Sequence, residues 1–355
     1  MHTKLQELLS LAVANKASDV HLMAGIIPKI RINGDLIDAT NWPILEEKLV
    51  VEMIDSLISD KQRENLKDLK ELDFSFDAVG SRLRANVYWQ KETLACVLRI
   101  LASDIPTFES LNLPDILRNF INYKQGFVLI TGPTGHGKST TVASLLNEIN
   151  KTRNGHIVTI EDPVEYLLKP DKSIISQREL GEDTNDFGSA LKSCLRQDPN
   201  VVFIGEMRDL DSIQSALTIA ETGHLVFSVL HTNSASQTID RIIDVFPANV
   251  KEQVRVQLAS VLTAIVSQRL IPAIGGGRVP AFEVLMTNSA VKNMIREGKT
   301  FMLDNVIQTG ADVGMISLDD YLAKLVLGGK ITEEVAINYV INPLDFKNKL
   351  RKSNF

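Results

Sequence analysis

The chain has 355 residues, 44% hydrophobic and 23% charged, with a formal net charge of −6. That length suits two domains of ordinary globular composition. The acidic balance argues against broad nucleic-acid binding, which leaves a basic footprint. No apolar run approaches the roughly 20 residues of a membrane span.

The N-terminus leads directly into an amphipathic pattern and lacks a signal-peptide core. Cys96 and Cys194 have no metal-ligand spacing and sit in apolar or helical surroundings. Buried free thiols and a cytoplasmic location are therefore expected. Residues 4–14 read as a helix whose apolar face is Leu5, Leu8, Leu9, Leu11 and Ala12. Ser18–Leu22 enters a strand with His21 as a locally satisfied histidine. Lys29–Leu36 alternates around an Asn33-Gly34 turn and reads as a hairpin. Residues 45–70 are expected to be helical. Residues 72–76, 81–88 and 93–101 are strand candidates. Together these predict an α+β domain with an antiparallel sheet over 1–103. Arg82 and Arg84, two apart on a strand, share a face. They and Arg99 form either a solvated charged surface or a set facing phosphate or an acidic partner.

Ser103-Asp104-Ile105-Pro106-Thr107 breaks the pattern, and a linker is expected over 104–112. A helix is predicted from Pro114-Asp115, which opens the second domain, 113–355. Phe127-Val128-Leu129-Ile130-Thr131 reads as a buried strand. It runs into Gly132-Pro133-Thr134-Gly135-His136-Gly137-Lys138-Ser139-Thr140, which fits the P-loop pattern G-x-x-x-x-G-K-[ST]. A helix over 140–150 follows, with apolar residues at Val142, Leu145, Leu146 and Ile149. Glycines let the backbone N–H groups turn inward around phosphate oxygens, and the helix N-terminus adds positive potential. The pattern assigns Lys138 to the β- and γ-phosphates and the Ser139 hydroxyl to Mg²⁺. The His136 side chain is expected to point outward, because the loop backbone makes the contacts.

Three carboxylates, Glu161, Asp162 and Glu165, follow the strand candidate His156–Ile160. Strand ends of open α/β sheets are ligand sites, so these fit a metal- or water-orienting set. Val201–Ile204, followed by Gly205-Glu206, fits a Walker B strand, with Glu206 placed to orient the attacking water. Arg208 is placed to pair with a neighbouring carboxylate. The strand Leu225–Leu230 ends in His231-Thr232-Asn233, a candidate γ-phosphate sensor. His224, at the other end of that strand, reads as structural. Residues 249–270 are predicted to be one long, largely buried helix. Gly275–Arg278 is a turn between strand candidates, the second of them 280–285. Helices are predicted at about 288–298, 300–308, 317–328 and 332–341, then a frayed basic tail at 347–352.

Several motifs carry a resemblance that runs nearly end to end. Ala17–Leu22 with Ile30–Gly34, and Arg82–Asn86, resemble the N-terminal PAS-like domain and arginine-bearing strand of the PilT family, the retraction ATPases of type IV pili within the secretion ATPase superfamily. Thr159–Tyr166 is similar to the family's Asp box, and Leu195–Pro199 with Gly205–Asp209 to its Walker B region. Thr222–Phe227 with Leu230–Asn233 is similar to its His box.

The resemblance implies a RecA-like P-loop NTPase core of α/β class behind a smaller PAS-like α+β domain. It implies an ATP hydrolase using Mg²⁺, with Glu206 catalytic, Glu161, Asp162 and Glu165 supporting metal and water, and His231 near the γ-phosphate. Arg82, Arg84 and Arg99 become candidates for reaching nucleotide on an adjacent subunit. It also implies a homohexamer that drives pilus retraction and twitching motility. That hexamer would work at the cytoplasmic face of the inner membrane with a platform protein and a paralogous retraction ATPase, without nucleic acid. A related type II/IV secretion or conjugation ATPase is the alternative. Two departures stand out: His136 replaces the small residue common in the family's loop, and Gln90–Ala95 lacks the family's glycines.

Overall fold

In the computed structural model, which describes residues 1–32, 34–101 and 104–352, the chain divides into two units. One comprises Met1–Ile105 with Pro163–Leu167, the other Pro106–Asp162 with Leu168–Phe355. Asn33 of the expected turn and Ser103 of the expected boundary lie outside the described residues.

The first unit runs α1 (Thr3–Ala14), β1 (Asp19–Met23), β2 (Lys29–Ile32), β3 (Asp35–Asp38), α2 (Glu47–Asp55), α3 (Asp60–Leu69), β4 (Glu71–Ala78), β5 (Ser81–Gln90) and β6 (Thr93–Ile100). Its strands form an antiparallel sheet in the order β3-β2-β1-β6-β5-β4. Period-2 alternation sends Leu83, Ala85 and Val87 of β5 into the core. There they meet Leu5, Leu8 and Leu9 of α1 and Val50 and Met53 of α2.

The helical stretch expected over 45–70 is two helices. Ser59 and Gln62 form a capping box that starts α3 afresh, with the Ser59 side chain accepting the Gln62 N–H and the Gln62 side chain accepting the Ser59 N–H. The β5–β6 connection is a two-residue loop in which Lys91 and Glu92 have φ of 46° and 64°. Both central residues are left-handed, as a type I′ hairpin requires, without the glycine that usually relieves it. His21 differs from the locally satisfied reading: its Nε2 is buried with no hydrogen-bond partner among the described residues. Cys96 is buried, as expected, and burial drives its thiol pKa far above the usual range.

The second unit opens with the helix expected from Pro114-Asp115, which is a 3-10 helix, Asp115–Asn122, with Pro114 at its N-cap. It continues β7 (Gly126–Thr131), α4 (Lys138–Thr152), β8 (His156–Glu161), β9 (Ile174–Glu179), α5 (Phe187–Cys194), β10 (Val201–Ile204), α6 (Leu210–Glu221), β11 (Leu225–Leu230), α7 (Ala235–Asp244), α8 (Lys251–Val261), β12 (Leu262–Pro272) and β13 (Arg278–Met286). The helices α9 (Ser289–Arg296), α10 (Leu303–Thr309), α11 (Leu318–Leu327), α12 (Glu333–Ile337) and α13 (Pro343–Lys352) complete it. The sheet order is β13-β12-β7-β11-β10-β8-β9, parallel from β12 to β9, with β13 antiparallel at the edge. Every residue of β7, β10 and β11 is buried, which explains their unbroken apolar runs.

Two expectations are corrected here. The helix predicted over 249–270 stops at Val261, and Leu262–Pro272 is strand β12 beside β7. The spacing of Leu262, Ile265 and Val266 suits a helix face, but all three are buried in the sheet layer; short apolar runs carry this ambiguity. The tail is not frayed as far as Lys352. It is α13, anchored by Phe346, which is 0% exposed, and by Lys349, whose ammonium lies 2.7 Å from Asp320 and 3.2 Å from Asp345.

Candidate nucleotide site

Parallel register brings the carboxyl ends of the central strands to one edge. Thr131 of β7 lies beside Leu230 of β11, and Ile204 of β10 lies between Ile160 of β8 and Ser228 of β11. The segments that leave these ends are Gly132–Gly137, Glu161-Asp162, Gly205-Glu206 and His231. The parallel topology therefore places all four along the carboxyl edge of the sheet, where ligands of open α/β sheets bind.

The loop Gly132–Gly137 is shaped by close approach. A Cβ on Gly132 (φ 143°) would lie 2.2 Å from the Gln268 carbonyl oxygen. Gly137, left-handed at φ 80°, is the N-cap of α4 and supplies no side-chain cap. The N–H groups of the first turn of α4 therefore face the loop, in the arrangement that binds an anion. Lys138 is 5% exposed, and its ammonium donates to the carbonyls of Gly132 and Pro133, both at 2.8 Å. This loop, with its uncapped helix and converging lysine, fits nucleotide phosphates.

Three side chains from three elements meet beside Lys138. Its Nζ lies 3.3 Å from His231 Nδ1, which is also 3.3 Å from Thr134 Oγ1. His231 Nε2 lies 3.2 Å from Glu206 Oε1. Lysine can only donate, so Nδ1 accepts and Nε2 carries the proton toward the carboxylate. Burial, then the nearby Lys138 charge, holds the imidazole below its usual pKa and keeps that neutral form. Arg208 donates to Glu206 Oε2 at 2.7 Å, the carboxylate pairing expected of it. That hydrogen bond is the main cause that holds the Glu206 carboxyl below the usual range. Glu206 is thus ionised, with Arg208 on one oxygen and His231 on the other.

The remaining acidic candidates differ. Glu161 is 7% exposed and accepts from Thr159 Oγ1 at 2.6 Å and Gln177 Nε2 at 3.3 Å. Asp162 is exposed, and its charge helps raise the Arg208 pKa, behind the larger effect of Glu206. Glu165 is half-buried in Pro163–Leu167, the segment that groups with the first unit. Among the described residues, no group of three or more His, Cys, Asp and Glu side chains could cage a metal. Mg²⁺ keeps several waters and binds through one or two protein groups plus substrate phosphates. The ionised Glu206 carboxylate is an oxygen donor of that kind.

His136 departs from the outward orientation expected of it. Its Nδ1 accepts the Leu270 N–H at 3.0 Å, which turns the ring onto β12. His224 is structural, its Nδ1 3.0 Å from both Thr222 Oγ1 and the Ile219 carbonyl. In the first unit, Arg84 and Arg99 are direct cross-strand neighbours, and Arg99 in turn faces Asp19. Arg99 Nε lies 3.0 Å from Asp19, Arg82 Nη1 3.2 Å from Asp77, and Arg84 Nε 3.7 Å from Asp73. Arg82 and Arg84 share a face of β5, as strand alternation requires.

Sequence reasoning missed two contributors. Gln268 clamps the loop, its Nε2 donating to the His136 carbonyl at 2.9 Å and its Oε1 accepting from Thr141 at 2.7 Å. Glu283, 4% exposed, accepts the N–H of Ala235, the first residue of α7, at 2.8 Å. They lie on strands β12 and β13, and the apolar spacing of β12 suits a helix as well as a strand, so no sequence signal assigns their neighbours.

Residues 95–277 match the family model described as "Type II/IV secretion system protein". The type IV pilus retraction ATPase PilT of Pseudomonas aeruginosa is 45% identical over 333 residues, covering 94% of this chain and 96% of that protein. The type IV pilus ATPase PilU of the same organism is 37% identical over 350 residues, covering 98% and 90%. The crystal structure of the pilus retraction motor PilT with bound ADP superposes with a TM-score of 0.91 at 45% identity, covering 97% of this chain and 98% of that one. By sequence and by fold, this nucleotide-binding chain belongs to the PilT family of type IV pilus retraction ATPases, within the type II/IV secretion system proteins.

Proposed function

We propose that this chain hydrolyses ATP at the sheet edge around Lys138 and uses the energy to retract type IV pili. The contact chain Lys138–His231–Glu206 carries the reading, because it joins a phosphate-binding lysine to an ionised carboxylate through a neutral imidazole. The loop from Gly132 to Thr140 holds the triphosphate, with its N–H groups and Lys138 offsetting charge on the β- and γ-phosphates. Glu206 orients the attacking water and accepts its proton as the bond to the γ-phosphorus forms and the bond from that phosphorus to the β–γ bridging oxygen breaks, leaving the charge on the β-phosphate of ADP. His231 monitors the γ-phosphate indirectly, its Nδ1 accepting from the phosphate-binding Lys138 ammonium and its Nε2–H facing Glu206. Ser139, with Asp162 or Glu206, would hold Mg²⁺, which would supply charge neutralisation at the phosphates, as is general for phosphoryl transfer. Glu161 anchors the end of β8 beside these residues.

The working assembly in this reading is a homohexamer at the cytoplasmic face of the inner membrane. Arg82, Arg84 and Arg99 reach nucleotide held by the neighbouring subunit. The carboxylates facing Arg82 and Arg84 are exposed, so those pairs can be exchanged for phosphate at modest cost, whereas release of Arg99 leaves the buried Asp19 with Arg31. The output passes to a membrane platform protein, with a paralogous ATPase as a second partner. The similarity to P. aeruginosa PilT and PilU supports these assignments. The test is a strain deleted for the gene and for related ATPases. It should bear pili that extend and do not retract, and normal retraction in that strain defeats the proposal.

A further inference from the structure

Strand β12 outruns its neighbour. Its pairing with β7 ends at Ser267, opposite Thr131, yet it continues to Pro272. Residues 268–272 therefore flank the phosphate loop where a strand would otherwise lie. Gln268 grips the loop at the His136 carbonyl and grips α4 at Thr141. Two residues on, the backbone N–H of Leu270, a donor that must be satisfied where it is not in water, is accepted by His136 Nδ1 at 3.0 Å. An imidazole nitrogen thus takes the part of a strand carbonyl.

We propose that His136 is a positioning residue of the nucleotide site, latching the phosphate loop to β12 through Nδ1 so that the loop is preset for phosphate. The proposal rests on reading Gly132–Thr140 as the ATP site. The latch needs an unprotonated Nδ1 with the proton on Nε2. The charged groups facing the ring come from three elements: Arg278 of β13, Lys138 of α4 and Arg269 of β12. All are cationic, and with burial as the larger cause they hold the ring below its usual pKa, in the neutral form that can accept. A small loop residue cannot make this contact. Serine Oγ lies one bond short of Nδ1, whereas asparagine Oδ1 lies the same number of bonds from Cα and accepts in the same way.

The test is steady-state ATPase kinetics of the full chain for His136→Ala, His136→Ser and His136→Asn, with Lys138→Ala alongside. Loss of one hydrogen bond predicts a rise in KM for ATP of about 3- to 10-fold in the alanine and serine variants. That loss falls on KM much more than on kcat, and asparagine recovers most of it. A wild-type KM in His136→Ala, or an asparagine variant no better than alanine, overturns the latch. Should the variants fold poorly, ¹⁵N-histidine NMR of the wild-type protein decides: an unprotonated, hydrogen-bonded Nδ1 supports the latch, and a protonated Nδ1 overturns it. If Lys138→Ala keeps normal ATP affinity and turnover, the site reading itself falls. If Lys138→Ala is dead while His136→Ala matches wild type, only the latch falls.

Discussion

Lys138 and His231 approach to 3.3 Å, with the lysine donating to Nδ1. One comes from the helix after β7 and the other from the end of β11, which are neighbours in the sheet although 93 residues apart in sequence. The contact fixes the imidazole tautomer and so directs an N–H at Glu206. His231→Ala should therefore lower kcat by about 10²-fold, the range typical of losing one preorganised donor. Nucleotide binding, measured by fluorescent ADP titration, should fall much less, because the phosphate loop is intact. A variant with wild-type kcat would separate His231 from the chemistry.

Glu206 is held ionised by Arg208 and faced by His231. Glu206→Gln keeps the shape and removes the base. Hydrolysis should drop by about 10²- to 10⁴-fold while ATP still binds. Arg208→Ala should do less, since it removes one partner of the carboxylate and leaves the carboxylate itself. Single-turnover assays with bound ATP would distinguish the two.

Glu283 gives a prediction about stability. Burial, the largest cause, pushes its carboxyl from 4.5 up to about 7, with Asp304 of α10 adding to the rise. The Ala235 N–H, Arg269 and Ser267 oppose it. A carboxyl raised in the native state favours its protonated form there. Its contribution is complete below pH 4.5 and is lost as pH climbs through about 7. The loss across that window is about 3 kcal/mol. Denaturant unfolding of Glu283→Gln across pH 4.5–8 should show a flatter profile than wild type, with the gain at the alkaline end.

Phe346 is fully buried among Leu318, Leu322, Ile331 and Ala336. Phe346→Ala should destabilise the second unit by about 3–5 kcal/mol, the usual cost of emptying a phenylalanine site. A terminus that contributed no packing would unfold at an unchanged denaturant midpoint.

The ATP-binding features were the most legible in the sequence, because each is a local pattern: an apolar run, then glycines and Lys138, or an apolar run and then Glu206 or His231. Their spatial meeting follows from parallel strands that share one carboxyl edge. What eluded sequence reasoning was non-local. Leu262–Pro272 satisfies helical spacing and strand burial equally, and only its place beside β7 decides between them. The role of His136 depends on Leu270, 134 residues away. Strand β9 and helix α5 have weak apolar patterns, and Ile174 of β9 is 67% exposed, so neither was assigned. The basic tail hid Phe346 and Leu350 among its charges.

The most direct measurement is pilus retraction, followed by labelled-pilus microscopy, in cells lacking this gene and its related ATPases. The cells are complemented with wild type or with Lys138→Ala at matched protein levels. Wild type should restore retraction, and Lys138→Ala should leave pili extended. Retraction at the wild-type rate in the Lys138→Ala cells would contradict a motor powered at this loop.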